Sequence, residues 1–178
     1  MDFSLQAARH AAGLALAVVL ALAYRRAGRG GPFWLVLSRL PGTLLHEGAH
    51  FAVGFLTGGR PTGFTVLPKS RSYRNGNGEI RREWVLGSVT LSRPGAISSL
   101  PTALAPLLLL FVAWYVFRHW FEWFPSDLYH TLTLYGIMFC FCCGAIPSAQ
   151  DVRAGCYSLA GLLLYVALAA AAAFFLCP

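Results

Sequence analysis

Charge is what this chain has least of. Only 12% of its 178 residues are Asp, Glu, Lys or Arg, about half the share of an average soluble domain. Acids are rarer still, seven against fourteen Lys and Arg. No polar stretch is long enough for a separate soluble domain, so a single domain over 1–178 is expected. The net charge of +7 does not point to nucleic acid, because the basic residues sit beside apolar segments and not along one polar face. Cysteines number five, an odd count, and Cys140, Cys142, Cys143 and Cys177 lie in apolar segments where small buried thiols are the plain reading. The run Cys140-Phe141-Cys142-Cys143 lacks the two-residue gap of a zinc knuckle.

Apolar residues are abundant, at 57% with a mean hydropathy of +0.58, and they come in long runs. The pattern predicts an α-helical multi-pass membrane protein with about five spans, at 8–24, 33–56, 97–117, 128–146 and 156–176. The first segment, closed by Arg25-Arg26, also fits a cleaved signal peptide with Ala21-Leu22-Ala23 as its site. The second is interrupted at Pro41-Gly42, where a kink is expected, and Gly58-Gly59 end it. The one extended polar region predicts a membrane-associated β-hairpin over about 63–91, with its turn at Asn75-Gly76-Asn77-Gly78 and Pro68 limiting the first strand. An aromatic segment, Trp120 to Pro125, suits a membrane interface. Five spans put the hairpin and the loop at Asp151 on one side, whose excess of basic residues marks it as cytoplasmic.

The chemistry-bearing constellation is His46-Glu47-Gly48-Ala49-His50, inside the second apolar segment. Residues four apart share a helix face, so both imidazoles can aim at one ion. Glu47 follows at a spacing suited to a proton acceptor that does not itself bind the metal. Two imidazoles and a carboxylate are expensive in an apolar span, and such groups usually mark function. The plain alternative is that both histidines satisfy backbone groups while Glu47 pairs with Arg39. A catalytic zinc needs a third protein ligand and an open position. Asp151 is the candidate, beside Pro147 at a helix break; it would serve equally well as a helix cap. His10, His119 and His130 are juxtamembrane and only spare candidates.

These residues resemble the site-two protease class of intramembrane zinc metalloproteases, in a compact bacterial branch. The resemblance runs from Gly42 to Gly155, through the His46–His50 motif, Gly58-Gly59, Leu86-Gly87-Ser88-Val89, Ala103-Leu104-Ala105-Pro106 and Ile146 to Asp151. It implies Zn2+ as cofactor, His46, His50 and Asp151 as ligands, Glu47 as general base, and a membrane-protein substrate in the lipid bilayer of a bacterial inner membrane. It departs from the family in one place: Val152 follows Asp151 where the family has glycine. The resemblance also implies that the hairpin offers an edge to an extended substrate; a lid packed on its own protein is the alternative. Pro101, Thr102 and Pro106 are expected near a bound substrate, with ordinary helix packing as the competing role. Two other functions fit the same residues: a non-catalytic membrane adaptor with a degenerate protease groove, and a zinc or proton carrier.

Overall fold

The computed structural model describes residues 3–27, 32–65, 69–74, 80–85, 87–92, 95–156, 161 and 163–167. Two long helices open the chain, α1 (Phe3–Ala27) and α2 (Pro32–Leu56). Pro41 lies inside α2 without ending it. What does end it is Gly58, whose φ of +76° turns the chain left-handed so that the Gly59 N–H reaches Gly54 O at 2.8 Å and the Gly58 N–H reaches Phe55 O at 3.2 Å. This paired closure satisfies carbonyls that the last turn would leave open.

Four strands follow: β1 (Pro61–Thr65), β2 (Lys69–Arg74), β3 (Ile80–Val85) and β4 (Ser88–Leu91). They form two antiparallel ladders, β1 with β4 and β2 with β3, nested along one out-and-back path. The expected hairpin is therefore present. Its expected turn at 75–78 and Pro68 lie outside the described residues. Helix α3 (Ser99–Leu104) passes through a 3-10 turn at Ala105–Leu107 into α4 (Leu108–Trp123). Helix α5 (Leu128–Gly144) breaks before α6 (Ala149–Gly155), and the two are bent by 54°.

Among the described residues two helices are long and apolar enough to cross a membrane, Ser4–Ala27 and Ser99–Trp123, and the bent pair α5–α6 makes a third if it counts as one span. Only 6% of the Ser4–Ala27 window is buried, and Leu14, Val18, Val19 and Leu22 are each more than half exposed. Such a surface is costly in water and natural in lipid. Among the described residues, two or three of the five expected spans meet this test. The 33–56 segment is long enough as α2, but Arg39, His46, Glu47 and His50 lower its hydropathy. The 156–176 segment lies largely outside the described residues. Trp120 to Trp123, expected in a connecting segment, belong to α4, because no helix breaker precedes Pro125.

Small residues set a close contact between α2 and α5. A Cβ on Gly144 would lie 2.8 Å from Gly42 O, so α2 and α5 cross backbone to backbone. Small residues permit such crossings and larger ones forbid them. This crossing carries the break after α5 to the centre of α2, where the histidines are.

Candidate metal centre

Helix α2 presents Arg39, Gly42, Thr43, His46, Glu47 and His50 to a cavity of about 670 Å3. The α5–α6 break contributes Asp151, α3 contributes Thr102, and the hairpin contributes Gly87 and β4. His50 and Glu47 are only 6% and 8% exposed, so the site is sheltered from bulk water.

Three side chains meet there. Nε2 of His46 is 3.2 Å from Asp151 Oδ2, Nε2 of His50 is 3.2 Å from Asp151 Oδ1, and the two Nε2 atoms are 3.1 Å apart. The other ring nitrogens are committed elsewhere. His46 Nδ1–H donates to Gly144 O at 2.9 Å, and His50 Nδ1–H donates to Thr102 O at 2.6 Å. A carbonyl can only accept, so each neutral ring carries its proton on Nδ1 and a lone pair on Nε2. Two lone pairs and a carboxylate then face one another across about 3 Å. They repel unless a cation or added protons lie between them. A tetrahedral ion with bonds of about 2.0–2.1 Å holds its ligand atoms about 3.3 Å apart. The observed spacings of 3.1 and 3.2 Å fit that shape with little rearrangement. Two imidazoles and one carboxylate also form a donor set that zinc accepts, with room for a fourth ligand. His46, His50 and Asp151 are the only group of this kind among the described residues.

Each supporting carbonyl is free because a helix is interrupted. In an α-helix, Thr102 O would accept from the N–H of residue 106, which is proline and has none. The turn tightens instead, Ala105 N–H donates to Thr102 O, and the second lone pair takes His50. Gly144 O would accept from Ser148 N–H, but after Pro147 that N–H donates to Asp151 Oδ2 at 2.6 Å. The two breaks thus orient the two rings, a supporting role usual around metal ligands.

Asp151 is not the N-cap weighed for it from sequence but the third residue of α6, where it takes part in the cap while its carboxylate also reaches both histidines. Ser148 is the N-cap of α6; its hydroxyl accepts from Asp151 N–H at 3.1 Å while Asp151 accepts from Ser148 N–H. This reciprocal cap aims the carboxylate at the histidines. The alternative for the motif is met only in part. Both rings do satisfy backbone groups, yet through Nδ1 alone, and among the described residues no ion pair joins Glu47 to Arg39.

Glu47 is walled by the hairpin: a Cβ on Gly87 would lie 2.7 Å from Glu47 Oε1 and 2.8 Å from Thr43 Cγ2. Of the expected substrate contacts, Thr102 lines the cavity, whereas Pro101 does not and Pro106 is fully buried. Pro106 packs in the core and acts on the site through the carbonyl that it frees. His10, His119 and His130 do not join the cluster; His119 pairs with Glu122 and His130 with Asp127. Sequence reading missed Gly87, Tyr24 and the two carbonyls. For the carbonyls a signal existed, since Pro106 stands four residues after Thr102 and Pro147 three after Gly144.

No protein-family model, curated protein or solved structure matches the chain.

Proposed function

We propose that the chain is a zinc-dependent intramembrane endopeptidase of the site-two protease type, which cuts a peptide bond in a membrane-protein substrate. The observation that supports this most is the convergence of three lone-pair donors, two of them imidazoles whose tautomers are set by carbonyls at two helix breaks. His46, His50 and Asp151 would hold the ion. A zinc ion there would supply Lewis acidity and lower the pKa of water at its open position.

The chain's own residues do the rest. Glu47, next to His46 and buried, accepts a proton from the attacking water as oxygen bonds to the substrate carbonyl carbon. It returns that proton to the amide nitrogen as the C–N bond breaks, so the products are one carboxyl and one amine. Helical peptide bonds keep their carbonyls in internal hydrogen bonds, so the substrate must be extended at the cleavage point. Strand β4 offers a template, because among the described residues it pairs only with β1, and its Ser88, Val89 and Leu91 line the cavity. Strand addition at that edge would draw a peptide past Glu47. In this reading the hairpin and the Asp151 break lie on the cytoplasmic side, where the basic residues are in excess.

Two measurements on the full chain test the proposal. Zinc content should be near one per chain in the wild type and in Glu47→Gln, and lost in His50→Ala. New protein N-termini should arise in membranes containing the wild type and be missing with Glu47→Gln. Stoichiometric zinc with no cleavage would favour the adaptor, and zinc flux into liposomes would favour the carrier; either would refute the protease.

A further inference from the structure

The cavity has a second polar end. Its α2 wall runs from Arg39 to His50 along one helix face, so it is a groove parallel to the helix. Arg39 is the only Lys or Arg among its lining residues. The guanidinium rests on the Tyr24 ring, with Cζ 5.2 Å from the centroid, and its Nε is buried with no hydrogen-bond partner. Among the described residues no carboxylate pairs with it; Asp151 is taken by the two histidines.

A cation in an apolar helix normally finds an anion, because leaving it unpaired away from water is expensive. The Tyr24 face relieves that only in part, since a cation–π contact leaves the buried Nε–H unfilled. Arg39 and His46 are seven residues apart on α2, a rise of about 10.5 Å. An extended peptide advances about 3.3 Å per residue, so about three residues cover the same distance. The guanidinium's planar fork matches a carboxylate.

We propose that Arg39, seated on Tyr24, is a specificity subsite for a carboxylate carried by the substrate about three residues from the bond presented to the metal ligands. The carboxylate is an Asp or Glu side chain or the substrate's own C-terminus. This rests on the protease reading, and the test separates the two.

The probes are extended peptide hydroxamates, which anchor on zinc, with Asp or Asn placed two, three or four residues from the hydroxamate. A further pair has Asn throughout and ends in a free carboxylate or an amide. Binding is measured to the zinc-loaded full chain in neutral detergent. In the wild type, Asp at the third place should bind on the order of tenfold more tightly than Asn, as expected for a charge-assisted hydrogen bond. Arg39→Gln should erase that preference, Arg39→Lys should keep part of it, and the amide-ended Asn peptide should bind all three proteins alike. A preference for the free C-terminus alone would assign the subsite to chain ends. Equal binding of Asp and Asn together with equal binding of free and amidated ends to the wild type, or a preference that survives Arg39→Gln, overturns the subsite and leaves the protease reading standing. A preference that emerges only when anionic lipid is stripped away assigns Arg39 to a headgroup phosphate and also overturns it. Failure of every hydroxamate to bind the folded, zinc-loaded wild type overturns the protease reading and the subsite together.

Discussion

Replacing Pro106 by alanine should weaken metal binding while leaving the fold as stable as before, or more so. Pro106 touches no ligand; it acts by lacking an N–H. Alanine supplies that N–H, lets α3 run into α4 as one α-helix, and turns the Thr102 carbonyl back toward the helix axis. His50 then loses the acceptor that sits 2.6 Å from its Nδ1 and holds its tautomer. Losing a partner of this kind costs about 10–100-fold in metal affinity, or about 1.4–2.8 kcal/mol. Stability moves the other way. Proline is up to about 3 kcal/mol worse than alanine inside a helix, and the space left by the fully buried ring costs about 1 kcal/mol per methyl-sized void. A competition titration of zinc against a chelating indicator measures the first effect, and thermal unfolding of the metal-free protein in detergent measures the second. Zinc affinity within about threefold of wild type, in a protein whose helix has become continuous, would refute the claim that the carbonyl orients His50.

Three further substitutions probe the same centre. Gly144→Ala places a Cβ 2.8 Å from Gly42 O, so α2 and α5 must separate; a loss of about 1–3 kcal/mol is expected, with reduced zinc content, and an unchanged melting temperature would contradict the crossing. Gly87→Ala places a Cβ 2.7 Å from Glu47 Oε1; zinc should be retained and cleavage should fall, and full activity would show that the hairpin does not confine Glu47. Asp151→Asn keeps a side-chain oxygen for the Ser148 N–H but removes the charge; it should lower zinc affinity by more than tenfold and leave helix content near wild type. A variant that still held zinc as tightly as wild type would exclude Asp151 as a ligand.

Much of this protein is legible in the order of its residues. The apolar runs announce helices for lipid, the turn-rich polar region announces a hairpin, and His46 and His50 share a face because helix geometry leaves no choice. Gly58 marks the end of α2, since only a left-handed residue closes that turn easily. The count of spans was less legible. The polar residues that make α2 interesting also dilute its hydropathy, so length and composition disagree there for a chemical reason.

Tertiary structure decided what spacing along the chain does not contain. Asp151 is more than a hundred residues from His46, and nothing local distinguishes a carboxylate that caps its helix from one that also reaches a histidine. The Gly42–Gly144 crossing makes that difference, because two backbones without intervening side chains approach closely enough to bring the α5 break against the motif. The same holds for the proton on each ring. A histidine's tautomer depends on which carbonyl lies beyond it, and Thr102 and Gly144 arrive there only through packing. In the sequence Arg39 enters only as the partner for Glu47 in the alternative to a metal site; in the fold it faces the far end of the cavity and stacks on Tyr24 from another helix. Helix periodicity sets which residues share a face, whereas the neighbours that give them a role come from elements remote in the chain.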